Sequence, residues 1–216
     1  MKKTILFLAT TFSLAAGFAQ SEKYTKKMGE MVPAVDTTRD AATLESMANT
    51  FERVGDAEKT QWLPYYYGAY CNLMAATFKA MGKQDASITD PAADKAEALL
   101  NKALALTKEN SEIWCIKKMI ATTRMMADPM NRWMQYGQAA AEALAKAKEM
   151  DANNPRVYLL EGQDKFYTPE QFGGSKTEAK KLFEKAKELY GSFKPETPLH
   201  PVWGMGTTMY FLSQVQ

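Results

Sequence analysis

Apolar positions along the chain recur with a helical period and in a repeated order. The pattern Ala-x3-Leu/Phe-x2-Ala occurs at Ala96, Leu100 and Ala103, again at Ala140, Leu144 and Ala147, and again at Ala179, Phe183 and Ala186. Positions i, i+4 and i+7 fall on one face of a helix. Two small residues flanking a larger one therefore let a second helix approach closely while the Leu or Phe fills the gap. An aromatic follows eleven residues after the last alanine of the first two segments, at Trp114 and Tyr158. A weaker copy upstream runs from Met47, Phe51 and Val54 to Tyr65, and the last copy reaches Trp203 after a six-residue insertion around 193–198. The three alanine segments begin 44 and 39 residues apart. Repetition at this period predicts stacked helical hairpins. The expected helices are 38–54, 60–82, 91–108, 111–127, 131–150, 155–167, 175–190 and 200–214, and no segment alternates as a strand would.

Turn chemistry supports these boundaries. Asp90-Pro91 offers an N-cap followed by a proline that fits the first helical position. Ser175-Lys176-Thr177-Glu178 reads as a capping box, and Asn153-Asn154-Pro155 and Phe172-Gly173-Gly174 as connections. The domain reading is a signal peptide at 1–19, a flexible arm at 20–37 that is polar and turn-rich around Met31-Val32-Pro33, and an all-α solenoid domain over 38–216. The leader reading rests on the positive Met1-Lys2-Lys3, the uncharged apolar run 4–18, and small Gly17 and Ala19 before a cleavage point. Its apolar run is short for a membrane span. Export to the periplasm or the medium is expected, with no stable membrane insertion.

Charge narrows the partners. The chain carries 27 Lys and Arg against 25 Asp and Glu, and without Lys2 and Lys3 the two signs balance. A nucleic-acid binder gathers a basic excess on one face; here lysines are scattered among glutamates, so no nucleic-acid partner is expected.

Catalytic groups are sparse. The single histidine, His200, sits between Leu199 and Pro201 and reads as a helix-entrance residue rather than as a base. Cys71 and Cys115 are offset by about five residues between repeats, roughly 500° of rotation and about 7.5 Å of rise, so two buried free thiols are expected rather than a disulfide. Met119, Met125, Met126, Met130 and Met134 form a thioether-rich stretch that could hold Cu(I) but reads first as gap-filling packing. Trp62, Tyr65, Tyr66, Tyr67 and Tyr70 read first as packing residues, with a carbohydrate patch as a minor reading. The acidic pairs Glu161/Asp164 and Glu109/Glu112 read as solvated helix positions. No cofactor, metal site or catalytic residue is expected.

The repeats resemble the tetratricopeptide family. Lys146 to Pro155 is similar to that family's junction between consecutive repeats, and Trp203-x2-Gly206-Thr207-x2-Tyr210 to its first helix. The small position four residues beyond the aromatic holds Ala69, Gly162 and Thr207, whereas Lys118 departs from it. The loop Tyr167-Thr168-Pro169-x-x-Phe172-Gly173-Gly174 also looks like loops of small exported proteins of Gram-negative bacteria. The resemblance implies a right-handed solenoid of about four hairpins whose aromatic-bearing helices line a concave groove. Carried over position by position, it places Tyr66, Tyr70, Cys115, Met119, Thr122, Leu159, Gln163, Phe166 and Thr208 on that face. The leading expectation is a scaffold that binds a protein or peptide there without catalysis. The alternative is a carrier of an apolar or glycan small ligand, and a hydrolase stands third.

Overall fold

The computed structural model describes residues 21–215, all helical segments and connections with no strand among them. The leader read at 1–19 lies outside the described residues. Helices α1 (Glu22–Val35), α2 (Ala41–Glu58), α3 (Leu63–Ala80), α4 (Ala86–Leu104) and α5 (Ser111–Met126) are followed by a short α6 (Pro129–Arg132). A π-helical stretch, Trp133–Gly137, joins α6 to α7 (Gln138–Met150); α8 (Pro155–Tyr167), a 3-10 turn (Glu170–Phe172), α9 (Lys176–Ser192) and α10 (Met205–Gln214) complete the array. Each helix packs on its sequence neighbour, as the hairpin reading requires. The aromatic-bearing helices α3 and α5, and then α5 and α8, also touch.

The repeated small-large-small triplets are the packing faces. Ala96, Leu100 and Ala103, then Ala140, Leu144 and Ala147, then Ala179, Phe183 and Ala186 are all buried. Gly162 on α8 shows how close the helices come, because a Cβ there would lie 2.5 Å from the Phe183 ring.

Three boundaries differ from expectation. The stretch read as a flexible arm is α1, capped by Ser21, whose hydroxyl accepts from Tyr24 N. Tyr24, Met28, Met31, Val32 and Val35 form a buried stripe at helical spacing, and Pro33 sits in the last turn, where it ends the helix rather than preventing it. Helix α4 begins at Ala86, capped by Asp85, and Pro91 lies inside it. Asp90 is not a cap: its carboxylate takes two hydrogen bonds from Arg132, at 2.6 and 2.9 Å. The last helix starts late, at Met205, because Gly204 has φ 111°, a left-handed conformation outside the helix.

The segment between α9 and α10 closes the array on itself. Gly204 N donates to Asp36 Oδ1 at 2.8 Å, at the turn between α1 and α2, and Tyr67 of α3 donates to Leu199 O at 3.0 Å. A side chain at Gly204 would collide with the Tyr190 hydroxyl and would strain the positive φ. Gly204→Ala is therefore expected to lower stability by roughly 1–3 kcal/mol, read as a lower urea midpoint; an unchanged midpoint contradicts the closure.

Candidate functional site

The expected concave-face residues fall into two groups. Each aromatic-bearing helix carries a stripe that is sealed at its N-terminal end and half-exposed toward its C-terminal end. On α3, Tyr66 and Tyr70 are buried, while Met74 and Phe78 are half-buried. On α5, Cys115 is buried and Met119, Thr122 and Met126 are half-buried. On α8, Leu159 is buried and Gln163 and Phe166 are half-buried; on α10, Thr208 and Phe211 are buried and Leu212 is half-buried, as is Val215 just past its end. Met74, Phe78, Met119, Phe166, Leu212 and Val215 all pack against one hydrophobic core. Phe166 and Phe211 meet edge to face at 5.2 Å, joining α8 to α10.

The reading of Tyr66 and Tyr70 as open groove residues is corrected. Tyr66 is 0% and Tyr70 3% exposed, because the chain's own Trp203 covers them. The Trp203 ring stacks on Tyr70 at 4.4 Å, and its Nε1 donates to the Tyr66 hydroxyl at 2.8 Å. Burial pushes both phenols well above their usual range. Leu159 and Thr208 are likewise core; Thr208 donates its hydroxyl to Gly204 O. The resemblance implied the face but carried no sign that a loop from the far end of the chain covers its tyrosines.

Beneath this floor lies a charged cluster. Arg156, 0% exposed, donates through Nε to both oxygens of Glu112, at 2.8 and 2.9 Å. Glu112 also accepts from Tyr66 at 2.7 Å and from Asn154 Nδ2 at 2.7 Å. The guanidinium lies 4.6 Å from the Phe193 ring centroid and 5.5 Å from that of Trp203. Burial alone would lower the Arg156 pKa, but the facing Glu112 carboxylate holds it above its ordinary value. Sequence reasoning missed this pair; the only signal was a Glu two residues before Trp114 and an Arg two before Tyr158, the same register in successive repeats.

His200 Nδ1 pairs with Thr197 Oγ1 at 2.8 Å and its ring meets Trp62 edge-on; burial lowers its pKa. Each carboxylate of the two acidic pairs has a cation: Glu109 with Lys117, Glu112 with Arg156, Glu161 with Lys148, Asp164 with Lys118. Cys71 and Cys115 are buried free thiols. Met130 and Met134 are strongly exposed while Met119, Met125 and Met126 are half-buried. Two open clefts lie elsewhere. A polar one of about 390 Å³ lies between α2, α3 and α4, and a more apolar one of about 350 Å³ between α4, α5 and α7 is lined by Trp114 and Tyr136. No helix among the described residues is long and apolar enough to cross a membrane.

No protein-family model and no curated protein matches the chain. Among solved structures it is similar to the HusA haemophore from Porphyromonas gingivalis, with 32% identity, a TM-score of 0.78, and coverage of 91% of this chain and 94% of that one. This likeness fits the small-ligand carrier better than the protein-binding scaffold.

Two outcomes follow from the interior. Removing the Glu112 carboxylate leaves a buried guanidinium uncompensated, so Glu112→Ala is expected to cost about 3–5 kcal/mol in denaturant unfolding; a cost below about 1 kcal/mol contradicts the account. Burial pushes the Cys71 thiol up to about 12 and Cys115 higher than usual, so both are expected to resist a thiol reagent until the protein unfolds. Rapid labelling of native protein contradicts this.

Proposed function

The chain belongs to the family of the HusA haemophore, and on that premise we propose that it is an exported, non-catalytic carrier that binds haem or a closely similar porphyrin. The observation that carries this reading is the likeness to a haemophore over nearly the whole of both chains. The half-buried ends of the inner helices suit such a ligand. Met74, Phe78, Met119, Phe166 and Leu212 offer an apolar surface to a flat ring, and methionine side chains adapt to its outline. Lys176 Nζ lies 5.7 Å from the Phe166 ring centroid, a cation beside the apolar surface where an anionic group can be met.

The buried tyrosines weigh against the peptide scaffold, whose groove needed them exposed. The array itself we take to be tetratricopeptide-like, on the strength of the repeated triplets that form its packing faces. Export follows from the leader reading, with cleavage after about Ala19.

Titrating haemin into the mature protein and following the Soret band tests the reading. Saturable binding is expected, and Phe166→Ala, by removing one of the two phenylalanines of the open stripe, should weaken it about tenfold, ~1.4 kcal/mol. Absence of saturable binding, or an unchanged affinity in a folded Phe166→Ala protein, contradicts the assignment of carrier or of face respectively.

A further inference from the structure

The wall of the proposed ligand face contains a cation where the repeat pattern calls for a small residue. Lys118 stands at the position that holds Ala69, Gly162 and Thr207 in the other repeats. Its side chain is 2% exposed, so it lies in the wall between α5 and α8 and not in solvent. An ammonium carries three N–H donors. Among the described residues its hydrogen-bond acceptor is Asp164 Oδ1, at 2.6 Å, and the Asp164 side chain is 41% exposed. A buried cation is costly unless it is fully paired; here one partly exposed carboxylate carries the whole task.

One turn further along α5 a polar atom lacks a partner. Thr122 Oγ1 is buried and makes no hydrogen bond. Thr122 follows Lys118 by four residues on α5, so the two side chains lie on the same helix face, one turn apart. Met119 sits between them in sequence, and on α8 Gln163 immediately precedes Asp164; both belong to the half-buried stripe. The wall of an apolar face thus holds a cation with spare donors and a hydroxyl with no partner.

We propose that Lys118 and Thr122 form a carboxylate-binding subsite for an amphiphilic ligand, and that Asp164 occupies the place of the ligand's carboxylate in the free protein. The proposal rests on the carrier reading. On binding, the Asp164 side chain swings toward solvent, the ligand carboxylate accepts from Lys118 Nζ, and Thr122 donates its hydroxyl to the same group. The apolar body of the ligand then lies against Met119 and Phe166. Such a subsite selects ligands with an acid near one edge of an apolar body and discriminates against their esters, which carry no negative charge.

The test compares haemin with haemin dimethyl ester on the wild-type mature protein, Lys118→Met and Asp164→Asn, with circular dichroism confirming each fold. The wild type is expected to favour the free acid by about tenfold or more. Lys118→Met, which keeps an unbranched apolar stem and loses the charge, should bring the two ligands within about twofold. Asp164→Asn, which frees Lys118, should widen the preference through tighter acid binding with the ester unchanged. A wild type that binds acid and ester alike, or a folded Lys118→Met that keeps the preference, overturns the subsite while leaving the carrier intact. Should Lys118→Met fail to fold, an unchanged preference in Asp164→Asn overturns it instead. A wild type that binds neither ligand overturns the carrier reading and the subsite with it.

Discussion

The ion pair between Arg156 and Glu112 is the constraint on which the rest of this structure depends. Stripping water from two charges costs several kcal/mol per ion, and their attraction offsets that only when the remaining donors and acceptors are also satisfied. Here Tyr66 and Asn154 donate to the Glu112 carboxylate, and Arg156 Nη1 donates to Trp203 O at 3.4 Å. Tyr66 comes from α3, Asn154 from the connection before α8, and the Trp203 and Phe193 rings from the segment between α9 and α10 lie against the guanidinium. The Trp203 carbonyl accepts from Tyr190 of α9 at 2.9 Å. The pair thus ties α3, α5 and α8 to the segment that follows α9. Elements so far apart in sequence meet there because each needs a partner that only the others provide.

That closure decides what kind of site remains. An open row of tetratricopeptide-like hairpins would expose the tyrosines of α3 along its groove. With Trp203 seated on Tyr70 and bonded to Tyr66, the sealed half of the face is core. What stays accessible is the other end, where methionine and phenylalanine replace tyrosine and phenolic hydrogen bonding gives way to adaptable apolar contact. A surface of that character suits a flat apolar molecule better than an extended peptide, whose backbone amides would find few polar partners there. The likeness to a haemophore points the same way.

Much of the fold was legible in the sequence. The triplets from Ala96 to Ala186 marked the packing faces because small-large-small spacing has a direct geometric meaning, and Ser175, read as the head of a capping box, caps α9. The arm at 20–37 was misread because Pro33 and the surrounding lysines masked the stripe from Tyr24 to Val35. The site was only half legible. The resemblance to tetratricopeptide repeats implied the inner face, including Met119, Thr122, Gln163 and Phe166, but burial along that face depends on the segment 193–204, whose long-range partners leave no local pattern. Lys118 was visible as an exception to the repeat, yet its burial against Asp164 needed the three-dimensional neighbourhood.

The central claim is that ligand meets the open ends of the inner helices. The most direct measurement is a methyl-labelled methionine spectrum of the mature protein recorded through a porphyrin titration. Met74 and Met119 are expected to shift together with one saturating profile, while Met28, buried in α1, and Met150, exposed at the end of α7, hold still. Movement of Met150 or Met28 with Met74 and Met119 unchanged would place the ligand elsewhere and contradict the account.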